Sequence, residues 1–190
     1  MKKLDNSREK FMHVNVDNAS FQMEFDDEYV DKSDLISLTN KFINKSRRFM
    51  CVTRPRRFGK SVTVKMLNAY YSRGCDSKAL FSDLKIASTT DFERHLNQHD
   101  VIYLDMTEFA DNEENGNKYL ENLNTDVVSE LKETYKDNFD KDNRYSLPEA
   151  IRCLKRRFIF IIDEWDFGFR EYPNNLQLHN IFIARLRGMF

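Results

Sequence analysis

The sequence contains few of the residues that build covalent frameworks or unusual backbones: among 190 residues there are 5 glycines, 3 prolines and 3 cysteines. The cysteines (Cys51, Cys75 and Cys153) are scattered and show no C-x-x-C spacing, which argues against a disulfide framework or a zinc site and favours a reducing compartment. The longest apolar run, residues 158–162, is far too short to span a bilayer. The polar segment 1–10 lacks the apolar core of a secretory signal. We therefore predict a cytoplasmic protein with no membrane partner.

An excess of charge of one sign is also missing, since the formal net charge is -1 at pH 7. No global field therefore attracts nucleic acid, and any anion site must come from a local cluster. The four histidines lack a metal-binding spacing as a set, and we expect them at the surface. What the sequence does have is 41% hydrophobic and 13% aromatic residues, which predicts a folded core rather than disorder. We expect residues 1–28 to form an N-terminal leader and residues 29–190 to form the folded domain.

Three short apolar runs predict buried β-strands, and they lie at residues 49–53, 101–105 and 158–162. Residues 84–86 have the character of a short edge strand. Apolar stripes at helical spacing predict helices over residues 34–44, 61–71, 91–98, 119–135 and 176–187. Ser33 is expected to cap the first helix, with Leu35, Leu38 and Phe42 on its apolar face; Ser146 is expected to cap a further short helix, with Glu149 in the capping-box position. Strands that alternate with helices are typical of a parallel sheet covered on both faces, so the predicted class is α/β.

A basic segment with one glycine lies between the first predicted strand and the helix that follows it: Arg54-Pro55-Arg56-Arg57-Phe58-Gly59-Lys60-Ser61. The N–H groups and partial positive charge of a helix N-terminus favour phosphate. Gly59 lets the backbone approach the phosphates, Lys60 would reach the β- and γ-phosphates, and Ser61 would place its hydroxyl on Mg²⁺. The residues predicted to bind ATP are Arg56, Arg57, Phe58, Gly59, Lys60, Ser61 and Val62. The alternative is a charged surface turn, in which the arginines are solvated or contact an acidic partner.

An acidic pair, Asp163 and Glu164, follows the third predicted strand. In doubly wound sheets, ligands bind outside the carboxyl ends of the strands, where an aspartate holds Mg²⁺, usually through water. Asp163 is therefore predicted as a metal ligand together with Ser61, and Glu164 as the catalytic residue that polarises an attacking water. The alternative is a solvated strand end. Asp105 also ends a predicted strand, and it would either line the site or start the following loop.

Four segments of the sequence resemble the bacterial AAA-ATPase-like family, over roughly residues 28 to 166. They are the Tyr29-Val30-Asp31-Lys32-Ser33 segment, the phosphate loop T-R-P-R-R-F-G-K-S at residues 53–61, the strand at 101–105, and Ile161-Ile162-Asp163-Glu164. The arginine at position 54, where most phosphate loops have glycine, is itself typical of this family. The resemblance implies a three-layer P-loop NTPase-like fold with a mostly parallel sheet. It also implies a Walker A loop that binds ATP, a Walker B end with Asp163 on magnesium and Glu164 as the hydrolytic base, and a position near the nucleotide for Asp31 and Lys32.

Many members of the family continue for several hundred residues and often carry a nuclease-like domain, whereas no fourth strand pattern follows Asp163 in this sequence. In ATPases of this kind the next strand lies between the phosphate-loop strand and the Asp-Glu strand. The resemblance therefore implies a fold that is incomplete at the C-terminus, in which hydrolysis requires a second half of the ATPase or a protein partner. Two other functions stay open: a degenerate interaction module that does not hydrolyse ATP, and nucleic-acid binding through the arginine-rich loop.

Overall fold

The computed structural model describes residues 12–26, 29–53, 58–110, 116, 118–140 and 143–189. The helices of these residues, in chain order, are α1 (Ala19–Asp26), α2 (Asp34–Asn40), α3 (Lys60–Tyr71), α4 (Lys78–Phe81), α5 (Phe92–His95), α6 (Tyr119–Thr134), α7 (Leu147–Leu154), α8 (Phe167–Glu171) and α9 (Leu176–Met189). The strands are β1 (Asp100–Asp105) and β2 (Phe158–Asp163), and 3₁₀ turns lie at Lys85–Ser88 and Lys136–Asn138. Among the helices of the described residues, none combines the length and apolar character that crossing a bilayer requires.

The chain divides into two compact units. The first comprises Met1–Tyr103 and Phe158–Ile161, and the second comprises Leu104–Arg157 and Ile162–Phe190. The predicted phosphate loop belongs to the first unit and the predicted acidic pair to the second.

The sheet consists of β1 and β2, which lie side by side as parallel neighbours. β1 also pairs with the N-terminal segment, where Val14 forms an antiparallel bridge to Ile102. Both strands were predicted from their apolar runs, and the mixed helix-and-strand class is confirmed.

The first predicted strand, at residues 49–53, is wrong. This segment has no regular secondary structure, and Phe49, Met50 and Val52 are 60%, 39% and 42% exposed. A strand needs a neighbour that pairs its N–H and C=O groups, and the sheet of the described residues consists of β1 and β2 alone. The short edge strand predicted at 84–86 is wrong for the same reason, because this stretch enters the 3₁₀ turn Lys85–Ser88 instead.

The core of the first unit forms around α3. Met66, Ala69 and Tyr70 of this helix are completely buried, and they pack with Phe21 of α1 and Phe81 of α4. The rings of Phe21 and Phe81 stack with their centroids 5.5 Å apart. The apolar stripe predicted for this helix is confirmed, whereas α1 was not predicted because its sequence has no clean period.

Helix α2 begins at Asp34, as predicted, but it ends earlier than predicted. It stops at Asn40, and Leu38, expected on the apolar face, is 45% exposed while Ile36 is fully buried. Asn40 is buried because its Oδ1 accepts a hydrogen bond from the Tyr71 hydroxyl at 2.7 Å. Ser33 is the N-cap residue, but its side chain does not form the predicted capping hydrogen bond, since its Oγ accepts the backbone N–H of Ile86 at 3.1 Å.

Helix α6 is the longest helix of the second unit, and its predicted stripe is confirmed. The buried residues include Leu120, Leu123, Val127, Val128 and Leu131. The predicted capping box of α7 is also present, because Glu149 Oε2 accepts hydrogen bonds from the N–H of Ser146 at 2.8 Å and from its Oγ at 2.7 Å. Helix α9 begins close to its predicted position and packs against α7 and α8. These helices belong to the second unit, which also contains the C-terminal ends of the two strands.

Candidate functional site

Helix α3 begins after a glycine with a left-handed backbone conformation. Gly59 is the N-cap residue, with φ 70 and ψ 36, in the left-handed region where a side chain is strained. Its carbonyl accepts the N–H of Thr63 at 3.1 Å and the hydroxyl of Thr63 at 2.8 Å, which fixes the first turn. The helix has twelve residues and no acidic residue in its first turn, so no carboxylate of that turn opposes its positive end.

The predicted loop residues that the structure describes lie together at this helix end. Lys60 and Val62 are half-buried and Ser61 is exposed, and Val62 packs against the core of the first unit. Phe58 is 60% exposed. Arg56 and Arg57 lie outside the described residues. Ser61 therefore lies at the surface in the first turn of α3.

Lys32 contacts this loop, although its residue type and spacing alone did not predict a role for it. Lys32 Nζ donates a hydrogen bond to the backbone carbonyl of Phe58 at 3.2 Å. A Cβ added to Gly59 would lie 2.4 Å from the same nitrogen. The segment of the sequence that resembles the family includes Lys32, and this resemblance was the signal that placed it near the loop.

The acidic strand end in the second unit is built from the last residues of β2. Asp163 is 5% exposed, and its Oδ1 accepts the N–H of Glu164 at 3.0 Å. Its backbone carbonyl accepts the N–H of Met106, which follows β1, at 3.1 Å. Asp163 is thus a nearly buried carboxylate at the carboxyl end of a parallel strand, as predicted.

Glu164 is held by a partner that sequence reasoning missed. Its backbone is left-handed, with φ 48, an uncommon conformation for a residue with a side chain. Arg170 of α8 donates from Nη2 to Glu164 Oε2 at 2.5 Å and lies with its Nε 3.3 Å from Asp166 Oδ2. Asp166 is also the N-cap residue of α8. The carboxylate expected to act on water is therefore engaged in an ion pair.

The side-chain contacts of Asp105 support the interpretation that it starts a loop. Its Oδ1 accepts the N–H of Thr107 at 2.9 Å and the hydroxyl of Thr107 at 2.6 Å. An aspartate that binds the backbone two residues ahead builds a local turn. Asp105 therefore starts the loop after β1.

The expected surface position of the histidines is wrong for His13 and His95, which are 4% and 9% exposed. His95 lies on His99 with ring centroids 5.2 Å apart, and its Nδ1 is 3.0 Å from His99 Nε2. Burial lowers the pKa of both rings, and that of His99 to about 4. The described part of the chain contains no group of three or more His, Cys, Asp or Glu residues arranged for a metal ion. Mg²⁺ does not need such a group, because it is usually bound through one or two carboxylates, waters and phosphates.

The mixed helix-and-strand architecture, with a glycine-led helix in one unit and an acidic strand end in the other, fits an ATPase-like domain. A family model described as Predicted AAA-ATPase matches residues 16–190. The chain therefore belongs to the AAA-ATPase-like family, and the resemblance noted in the sequence is confirmed. Neither a search of curated proteins nor one of solved structures found a significant match.

Proposed function

We propose that this chain is an ATP-binding domain whose triphosphate binds at the N-terminus of α3. The observation that carries the proposal is the left-handed Gly59 at the start of the helix, followed directly by Lys60 and Ser61. This backbone brings the N–H groups of the first turn close to an anion, and the helix dipole favours negative charge there. Family membership supports a nucleotide as that anion.

The residues of the loop would have distinct roles. Phe58 to Val62 would supply backbone N–H groups, Lys60 would neutralise the outer phosphates, and Arg56 and Arg57 would add positive charge. Mg²⁺, when bound with ATP, neutralises the charge of the phosphates. Ser61 offers a hydroxyl oxygen and Asp163 a carboxylate oxygen, and each is a group that would suit a hard cation such as Mg²⁺.

We further propose that the domain hydrolyses the bound ATP. Glu164 is the proposed base that orients water, and it must exchange its ion pair with Arg170 for a contact with that water. The same ion pair favours the second candidate function, a degenerate interaction module that does not hydrolyse ATP. A protein partner that completes the ATPase, and a cytoplasmic location, remain predictions.

The test is a titration of Mg·ATP against the wild type, Lys60→Ala and Lys41→Ala. Lys41 is exposed at the end of α2 and is the control for the loss of one lysine charge. We expect Lys60→Ala to weaken binding at least tenfold, because hydrogen bonds to charged groups contribute about 1.5–3 kcal/mol, while Lys41→Ala binds like the wild type. Equal affinities for all three proteins would refute the proposal.

A further inference from the structure

Lys32 occupies a position that no part of the proposed nucleotide site explains. Its ammonium group approaches the phosphate loop at the residue before the left-handed glycine, where it donates to the Phe58 carbonyl at 3.2 Å. The nitrogen also lies 2.4 Å from the point where a Cβ on Gly59 would be. Gly59 thus leaves room for the lysine head as well as adopting a conformation that other residues disfavour.

The backbone on both sides of Lys32 is fixed by side chains that turn away from the loop. Asp31 Oδ2 accepts the N–H of Lys85 at 2.9 Å, and its Oδ1 accepts the N–H of Ser33 at 2.8 Å. Ser33 is fully buried, and its Oγ accepts the N–H of Ile86 at 3.1 Å. The residues before and after Lys32 are therefore attached to the 3₁₀ turn Lys85–Ser88, and the lysine between them is directed to the loop.

A third contact connects this segment with α3 itself. The N–H of Lys32 donates to the Tyr29 hydroxyl at 3.3 Å, and that hydroxyl lies 3.1 Å from the sulfur of Met66 on α3. The aromatic ring of Tyr29 packs edge-on against the core residue Phe21 with centroids 5.3 Å apart. The base of the lysine side chain is thus held by the core of the same helix whose N-terminus its ammonium group approaches.

The opposite charges of Asp31 and Lys32 are directed to different parts of the structure. Burial raises the pKa of Asp31, but its hydrogen bonds to Ser33 and Lys85 outweigh this effect, so the pKa is lowered and the carboxylate is ionised at neutral pH. Both of its oxygens accept backbone N–H groups. The negative charge of Asp31 is therefore directed to the 3₁₀ turn, and the positive charge of Lys32 to the loop.

We propose that Lys32 is a positioning residue of the phosphate loop: it holds the Phe58 carbonyl so that Gly59 keeps its left-handed turn, and it places a second ammonium charge beside the first turn of α3. The ligand class is a nucleoside triphosphate, and the inference rests on the proposed function of the same loop.

The experiment compares Lys32→Met, Lys32→Arg and the control Lys41→Met in the whole chain. Methionine keeps an unbranched chain of nearly the same length and removes both the donor and the charge, whereas arginine keeps both. We expect the Kd for Mg·ATP to rise roughly tenfold in Lys32→Met, to stay within about threefold of the wild type in Lys32→Arg, and to be unchanged in Lys41→Met. Thermal unfolding of each variant is measured in parallel to show that all of them fold.

A second measurement reports on the loop without nucleotide. Hydrogen exchange of the amides of residues 58–63 is expected to be faster in Lys32→Met than in the wild type and to be restored in Lys32→Arg, because the contact with Phe58 is lost in the first and kept in the second. Wild-type affinity and exchange in Lys32→Met, with weakened binding in Lys60→Ala, would overturn this inference alone. Wild-type affinity in Lys60→Ala would overturn the proposed function and this inference with it.

Discussion

The stacked pair His95 and His99 predicts a loss of stability in mild acid. Burial lowers the pKa of His99 from 6.5 to about 4, and the neighbouring charges of His95 and Arg73 act in the same direction, while Asp100 opposes them. Burial also lowers the pKa of His95, assisted by Arg94 and opposed by Asp91. Both rings are therefore neutral in the folded protein at neutral pH, and charging either ring brings a cation towards its neighbour 3.0 Å away.

The sign of the effect follows from proton binding. Between pH 6.5 and about 4 the unfolded chain binds a proton at His99 that the folded chain does not bind, so stability is complete above pH 6.5 and is lost as the pH falls through this window. Each unit of pKa difference corresponds to about 1.4 kcal/mol. After allowance for solvent screening of the half-buried ring, we expect His99 to account for a loss of about 2 kcal/mol of unfolding free energy.

The assay is urea unfolding at several pH values across this window, for the wild type and for His99→Gln. Glutamine keeps a hydrogen-bonding group opposite His95 but does not titrate. Carboxylates also titrate near the lower end of the window, so the informative quantity is the difference between the two proteins at each pH. We expect the wild type to lose about 2 kcal/mol more than the variant, and parallel pH profiles would refute the reasoning.

Three further predictions concern the loop, the acidic pair and one helix cap. Gly59→Ala would strain a left-handed backbone by about 1 kcal/mol or more, and its new Cβ would clash with the ammonium group of Lys32, so the affinity for Mg·ATP should fall. Gly188→Ala is the control, because its Cβ would meet only ordinary contacts, and it should bind Mg·ATP normally. The same Kd for both variants would contradict this prediction. Arg170→Met should release Glu164 from a partly exposed ion pair that contributes at most about 1 kcal/mol. ATP turnover in a phosphate-release assay should then rise up to roughly fivefold. A fall in turnover would instead show that the arginine assists the base. Ser146→Ala should lower the unfolding free energy by about 1 kcal/mol in urea titrations, and an unchanged midpoint would mean that the capping box contributes nothing.

The helices show which features can be predicted from residues that are close together in the sequence. The stripe of α6 and the Ser146–Glu149 capping box were predicted because both depend on residues three or four positions apart. The start of α3 was predicted for the same reason, since the glycine, the lysine and the helical pattern follow one another in the chain. For the candidate site, this local signal was enough to locate Gly59, Lys60 and Ser61 at a helix N-terminus.

The strands show what residues close together in the sequence do not predict. The runs at 101–105 and 158–162 have an apolar character similar to that of 49–53, but the first two pair with each other and the third stays exposed. Pairing depends on a neighbour distant in sequence, and a short apolar run does not contain that information. The exposed Leu38 and buried Asn40 of α2 have the same origin, because a hydrogen bond from Tyr71 decides which side of this short helix faces the core.

The sequence by itself determined the family of this protein, the helix that follows its phosphate loop and the strand that ends in Asp163, because each is encoded in consecutive residues. Only the tertiary structure decided that Lys32 contacts the loop and that Arg170 holds Glu164. The first contact joins residues 26 positions apart. The second depends on the left-handed backbone of Glu164, which its residue type does not predict. Contacts of this kind arise from how the chain packs.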